Sequence, residues 1–214
     1  MKSEILKEIP TPSDEEMELY SKEWDTQENY VYQERALKKL FQKTYPKNTE
    51  MDDVLIKVCA LNDFYSTNIF SPYSVAKRII DLKIDDRLQK GDVTLVNDIA
   101  KVTISDKDKK FYSFATKYCS HHKPDTYSIF DKYVAKILMY FKTKDNFYSF
   151  KKYELKDYQK YINIITEFKK YYKLDKYNLK ELDRYIWLLG KKYFSPKQNN
   201  ISTSLNNNLS SNKL

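Results

Sequence analysis

Apolar residues recur at three- and four-residue intervals along most of this chain, and the gaps between the runs carry helix-ending chemistry. Ser13, followed by Asp14, Glu15 and Glu16, reads as an N-cap with acids in the first turn of a helix through Leu19, Tyr20 and Trp24. A second run, with Tyr30, Ala36, Leu37, Leu40 and Phe41 at helical spacing, stops at Pro46. Together they predict an acidic helical hairpin over residues 1–46 that packs on the body as a cover. Thr49 is placed to cap a helix burying Val54, Leu55, Val58 and Leu61, which gives way to an irregular join from Asn62 through Asn68. Ser71-Pro72 starts the next helix, with Val75, Ala76, Ile79, Ile80 and Leu82 facing inward.

After Gly91, Asp92 can cap a short helix through Val93, Leu95, Val96, Ile99 and Ala100. Ser105 and Asp106 are expected to open a further helix carrying Phe111, Phe114, Ala115 and Tyr118, which Pro124 stops. Asp131 then falls in the first turn of a helix through Val134, Ile137, Leu138 and Phe141, with Ser128 as its expected cap. Two more helices come after it, over 155–172 and 179–193; Asn178 and Glu181 have the spacing of a capping box. The chain holds only two glycines and six prolines, too little turn chemistry for a many-stranded sheet. The expected class is all-α: a compact multi-helix body over 47–194 behind the acidic hairpin. Residues 195–214, rich in Asn and Ser, lack the apolar density to offset chain entropy and read as a disordered tail.

Charge sharpens this picture. The formal net charge is +8, yet residues 1–30 hold nine acids against three bases, so the remainder carries +14. A basic body behind an acidic lead suits a polyanionic partner. Codon bias toward Lys, Asn, Ile and Tyr would produce the same lysine content without any such partner. Tyrosines interleave with lysines, as in Lys169-Lys170-Tyr171-Tyr172, a pattern compatible with base stacking and equally with ordinary core rings. Cys59 and Cys119 give neither a disulfide framework nor zinc spacing, which fits a reducing cytoplasm. No apolar run comes after Met1-Lys2, so neither a signal peptide nor a membrane span is expected.

The candidate chemistry lies on either side of the Pro124 turn. Lys117 supplies a primary amine and Asp131 a carboxylate, a combination that suits a nucleophile with its electrostatic partner and also an ordinary ion pair. Cys119, His121 and His122 are metal-ligand types, but adjacent helical histidines diverge by about 100° and no second cluster completes a site, so no metal and no cofactor are expected. His121, one turn after Lys117 near the helix C-terminus, is expected to favour the helix dipole or, alternatively, to tune the lysine.

Three patches resemble the helix-hairpin-helix DNA glycosylase fold, in particular the bacterial 8-oxoguanine DNA glycosylase-like proteins. They are Ala60 to Ile69 leading to Val75 to Ile79, the segment from Ser113-Phe-Ala-Thr-Lys117 to Ile129-Phe-Asp131, and Leu182 to Lys191. The resemblance covers roughly residues 55–193. It implies that Lys117 attacks the sugar of a target nucleotide and that Asp131 assists departure of the base. The family's Gly-x-Gly turn before the lysine is absent here, where Asp106 to Thr116 contains no glycine. The expected partner is double-stranded DNA, with Lys107, Lys109, Lys110, Lys123, Lys132 and Lys136 as candidate phosphate contacts. A noncatalytic nucleic-acid-binding module and a protein-interaction factor are the alternatives.

Overall fold

The computed structural model describes residues 8–195. The expected disordered tail lies outside the described residues from 196 onward. Ten α-helices and one short hairpin are arranged in the order α1 (Asp14–Asp25), α2 (Glu28–Lys39), α3 (Met51–Tyr65), α4 (Pro72–Asp81), α5 (Asp85–Gln89) and α6 (Thr94–Ala100). Then come β1 (Lys101–Ile104), β2 (Lys107–Lys110), α7 (Tyr112–His122), α8 (Lys132–Asp145), α9 (Tyr158–Tyr171) and α10 (Leu179–Phe194). A π-helical turn, Leu40–Thr44, closes α2, and a 3₁₀ turn, Lys152–Lys156, precedes α9. One continuous apolar core joins these elements, from Ile9 and Met17 to Leu189. Among the described residues, no helix is long and apolar enough to cross a membrane.

Several helix ends form as their residue types dictate. The Ser13 hydroxyl accepts from the Glu16 amide, Pro72 opens α4, and Asn178 and Glu181 exchange both bonds of a capping box. Other boundaries move. Position 50, not Thr49, is the N-cap of α3 and makes no side-chain cap bond. Asp92 does bond the Thr94 amide at 2.9 Å, although α6 begins only at that residue.

The one change of element type lies where the lysine-bearing helix was expected to open. Residues 101–110 form an antiparallel hairpin, with Lys101 opposite Lys110 and Ile104 opposite Lys107. Val102 and Ile104 alternate with Lys101 and Thr103, the two-residue period of a half-buried strand. Ser105 and Asp106 make the turn with φ of 47° and 59°, the left-handed pair that a two-residue hairpin requires. The lysine-bearing helix therefore starts later, at Tyr112.

The join between the N-terminal hairpin and the body is polar and buried. Lys57, fully buried on α3, donates to the carbonyls of Tyr45 at 2.9 Å and Lys47 at 2.8 Å and to Asn48 Oδ1 at 2.7 Å. Asn48 Oδ1 also accepts from the Tyr118 hydroxyl and contacts His122 Nε2, while the Asn48 amide groups donate to Asp85. Each buried polar group here has a partner, the condition under which burial is tolerable.

The start of α8 rests directly on α10. A Cβ placed on Gly190 would lie 2.7 Å from the Tyr133 Cβ and 3.0 Å from the Tyr133 carbonyl oxygen, so this glycine sets how closely the two helices approach. Gly190→Ala should lower stability by about 1–3 kcal/mol, because the clash outweighs the helix-propensity gain of alanine. Urea unfolding monitored by tryptophan fluorescence would show the midpoint falling without a change in slope.

Candidate functional site

An open cleft of about 660 Å³ runs between the α1–α2 hairpin, the end of α3, the starts of α7 and α8, and α10. Five cations (Lys110, Lys117, Lys132, Lys180, Arg184) and three acids (Glu34, Asp131, Asp183) line it, together with Trp24, Tyr30, Tyr65, Tyr112, Tyr133 and Trp187. The structure thus brings the two candidate groups, Lys117 and Asp131, to one concavity.

Asp131 is held by helix geometry. It is the N-cap of α8 and not a first-turn residue, and one carboxylate oxygen accepts from the Tyr133 and Val134 amides at 2.8 and 2.9 Å. Ser128, the expected cap, lies three residues upstream and is fully buried. The intervening Ser128–Phe130 is a buried strap in neither helix nor sheet. Side chains satisfy its backbone instead. The Ser128 carbonyl accepts from Tyr158, the Ile129 carbonyl from Tyr161 and the Phe130 carbonyl from Ser113, while the Ile129 amide donates to Asp183 and the Phe130 amide to Thr116.

Lys117 is 4% exposed, and its amine donates to Ser113 Oγ at 2.6 Å and to the Phe130 carbonyl at 3.4 Å. It lies 5.1 Å from the centre of the Tyr65 ring. No carboxylate among the described residues lies within ion-pair distance, 4.0 Å, of this amine. Burial pushes its pKa down to about 8, and the fields of Asp131 and Asp183 restrain the fall. The arrangement gives a desolvated, fixed amine that shares a cleft with the Asp131 carboxylate without being ion-paired to it.

Three features of the site were not read from the sequence. Asp183 on α10 is 6% exposed, and its pKa is pushed up to about 7 by burial, against the opposing bonds from Ser128 and the Ile129 amide. Its signal was an acid three residues before Ile186 and seven before Gly190, on a stripe otherwise buried. Glu34 on α2 pairs with Arg184 through two hydrogen bonds and lies 3.6 Å from Lys180. Burial opposes ionisation of Glu34, but the Arg184 and Lys180 contacts outweigh it and hold the carboxyl below the usual range. The N-terminal hairpin is therefore a wall of the cleft, contributing Trp24, Tyr30, Gln33, Glu34 and Leu37, where a cover was expected.

The expected role of His121 is corrected. Its ring is buried against Phe41 and Tyr65, with Nε2 at 3.0 Å from the Tyr65 hydroxyl. Burial, with Lys180, His122 and Lys117 nearby, drives its pKa well below the ordinary value, so it is neutral at pH 7 and brings no charge to the helix end. His122 turns to Asn48 instead, so the adjacent histidines serve separate networks. Trp187 is half-buried at the cleft wall.

The candidate phosphate contacts divide. Lys110 and Lys132 line the cleft. Lys107 and Lys109 are exposed on β2, and Lys136 is exposed one turn after Lys132 on α8, its amine 5.3 Å from the Phe194 ring centre. Lys123, just past the other end of α7, donates to Gln89 and does not line the cleft.

Residues 16–126 match the family described as HI_0787_N, N-terminal domain. The chain belongs to this family. An uncharacterized protein of Haemophilus influenzae (strain ATCC 51907 / DSM 11121 / KW20 / Rd) is 47% identical over 154 residues, which cover 72% of this chain and 73% of that protein. No solved structure matches. The family span includes Glu34, Tyr65 and Lys117 but ends before Ser128, Asp131, Asp183 and Arg184, so the cleft is built jointly from the family domain and from the helices C-terminal to it.

The depressed lysine pKa carries a sign. Between about pH 8 and 10.5 the unfolded chain holds more protons on Lys117 than the folded one, so stability rises with pH across that window. Lys117→Met should be most favourable relative to the parent near pH 7–8 and lose up to about 3 kcal/mol of that relative stability by pH 10.5. Paired urea titrations of the two proteins across this range measure the difference.

Proposed function

We propose that this protein binds DNA across the cleft and excises a base from an everted nucleotide, with Lys117 as nucleophile and Asp131 as its electrostatic partner. The observation that carries the reading is that a desolvated amine, pKa about 8, and the helix-capping carboxylate of Asp131 line one cleft of about 660 Å³. On the order of a tenth of such an amine is neutral at pH 7, several hundred times the fraction of an ordinary lysine. In this reaction the neutral nitrogen attacks C1′ of the sugar and the glycosidic C–N bond breaks. The base leaves with the bonding electrons and gains a proton, the attacking nitrogen loses one, and opening of the sugar ring yields a Schiff base. The Asp131 carboxylate would stabilise positive charge developing on the sugar. Lys110 and Lys132 at the cleft, with Lys107, Lys109 and Lys136 beyond it, would meet phosphates. The glycosylase-like type of this helical fold is part of the same proposal.

The test is borohydride trapping on duplex oligonucleotides carrying an abasic site, 8-oxoguanine or uracil. The parent should form a covalent adduct with at least one, Lys117→Ala should form none, and Asp131→Asn should form it about 10²–10³ times more slowly. An adduct of undiminished yield from Lys117→Ala removes the assigned nucleophile. Steeply salt-dependent binding without adduct or base release would instead favour a noncatalytic nucleic-acid-binding module, for which the glycine-free, lysine-bearing hairpin speaks.

A further inference from the structure

Asp183 makes no hydrogen bond with Lys117 or Asp131, yet its carboxylate meets two consecutive residues of the strap that leads to Asp131. One oxygen accepts from the Ser128 hydroxyl at 2.5 Å, the other from the Ile129 amide at 2.8 Å. The Tyr161 hydroxyl gives its proton to the Ile129 carbonyl at 2.7 Å, and the Ser128 hydroxyl donates to the much nearer Asp183 oxygen and not to Tyr161, 3.3 Å away. The strap has no ladder partner, so these bonds, with those from Tyr158, Ser113 and Thr116, fix its path. Its last residue, Phe130, presents its carbonyl to the Lys117 amine, and the next residue is Asp131.

We infer that Asp183 is a positioning residue: by gripping Ser128 and Ile129 it sets where the Asp131 carboxylate and the Phe130 carbonyl stand relative to Lys117. The inference deepens the proposed base-excision reading and rests on it for its kinetic consequence, while the grip itself can be read without any reaction. Loss of the grip leaves a buried amide and hydroxyl unpaired and lets the strap shift, and a displacement of about 1 Å at a reacting group is enough to cost roughly 10²-fold in rate.

Two variants separate hydrogen bonding from charge. In Asp183→Asn the amide oxygen can accept from the Ile129 amide while its NH₂ donates to Ser128 Oγ, whose own proton turns to Tyr161. Asp183→Ala offers neither bond. Hydrogen exchange read by NMR should show the Ile129 and Phe130 amides losing protection by roughly 10²-fold or more in Asp183→Ala and staying near the parent in Asp183→Asn. Single-turnover trapping should slow by about 10²-fold in Asp183→Ala and stay within about threefold in Asp183→Asn. Equal protection in all three proteins overturns the inference, as does an asparagine variant as slow as the alanine one, which would assign the effect to charge. Should the parent itself form no adduct, the excision reading fails while the exchange measurement still decides the grip. If Asp183→Ala does not fold, Asp183→Asn against Ser128→Ala, which removes one of the two bonds, supplies the comparison: protection at Ile129 should fall in Ser128→Ala only.

Discussion

A buried extended segment has to place its amides and carbonyls somewhere, and in this protein Ser128–Phe130 does so without any strand beside it. Two tyrosines of α9, the serine and threonine of α7, and the aspartate of α10 each supply a bond. Three helices far apart in sequence are thereby tied to the same three residues. The energetic logic favours this uniqueness: one missing partner leaves a desolvated polar group costing about 1–3 kcal/mol, so alternative packings of the helices are penalised more heavily than an apolar core would penalise them. The amine of Lys117 belongs to the same arrangement, since its bonds to Ser113 and to the Phe130 carbonyl use atoms the strap has already fixed.

Electrostatics of the cleft depend on where the acidic hairpin sits. Glu34 takes up Arg184 and approaches Lys180, so two of the five cleft cations are engaged by the protein itself. The partly buried position of this cluster makes the pairing stronger than an exposed one of the same geometry and less sensitive to salt. Lys110, at the end of β2, and Lys132, at the start of α8, are both exposed at the cleft. Basic character in the sequence is thus a property of the rim more than of the floor, where the fields of Asp131 and Asp183 act on the buried amine.

Most of the helical framework was legible because its signals are local. Ser13, Pro72 and the Asn178–Glu181 box act within one turn, and each is found doing so. The hairpin at 101–110 was hidden because four-residue strands are too short to separate from a helix by periodicity, and its turn uses serine and aspartate where glycine would have announced it. Lys117 and Asp131 could be named from residue type and the Pro124 stop. Their partners could not: Asp183 lies 55 residues from Ser128 and Glu34 lies 150 from Arg184, and no single-chain pattern reports contacts at that separation. His121 misled for the same reason, since its environment is set by Phe41 and Tyr65 rather than by its place on α7.

The family domain ends at residue 126, one residue before Tyr127 and two before the strap. A polypeptide cut there would keep the amine of α7 while discarding the groups that face it: Ser113 and Thr116 would lose the Phe130 atoms they bond, and the carboxylates of Asp131 and Asp183 would be gone altogether. The matched span therefore carries one part of the cleft, and the strap, α8 and α10 must be present in the same chain to complete it.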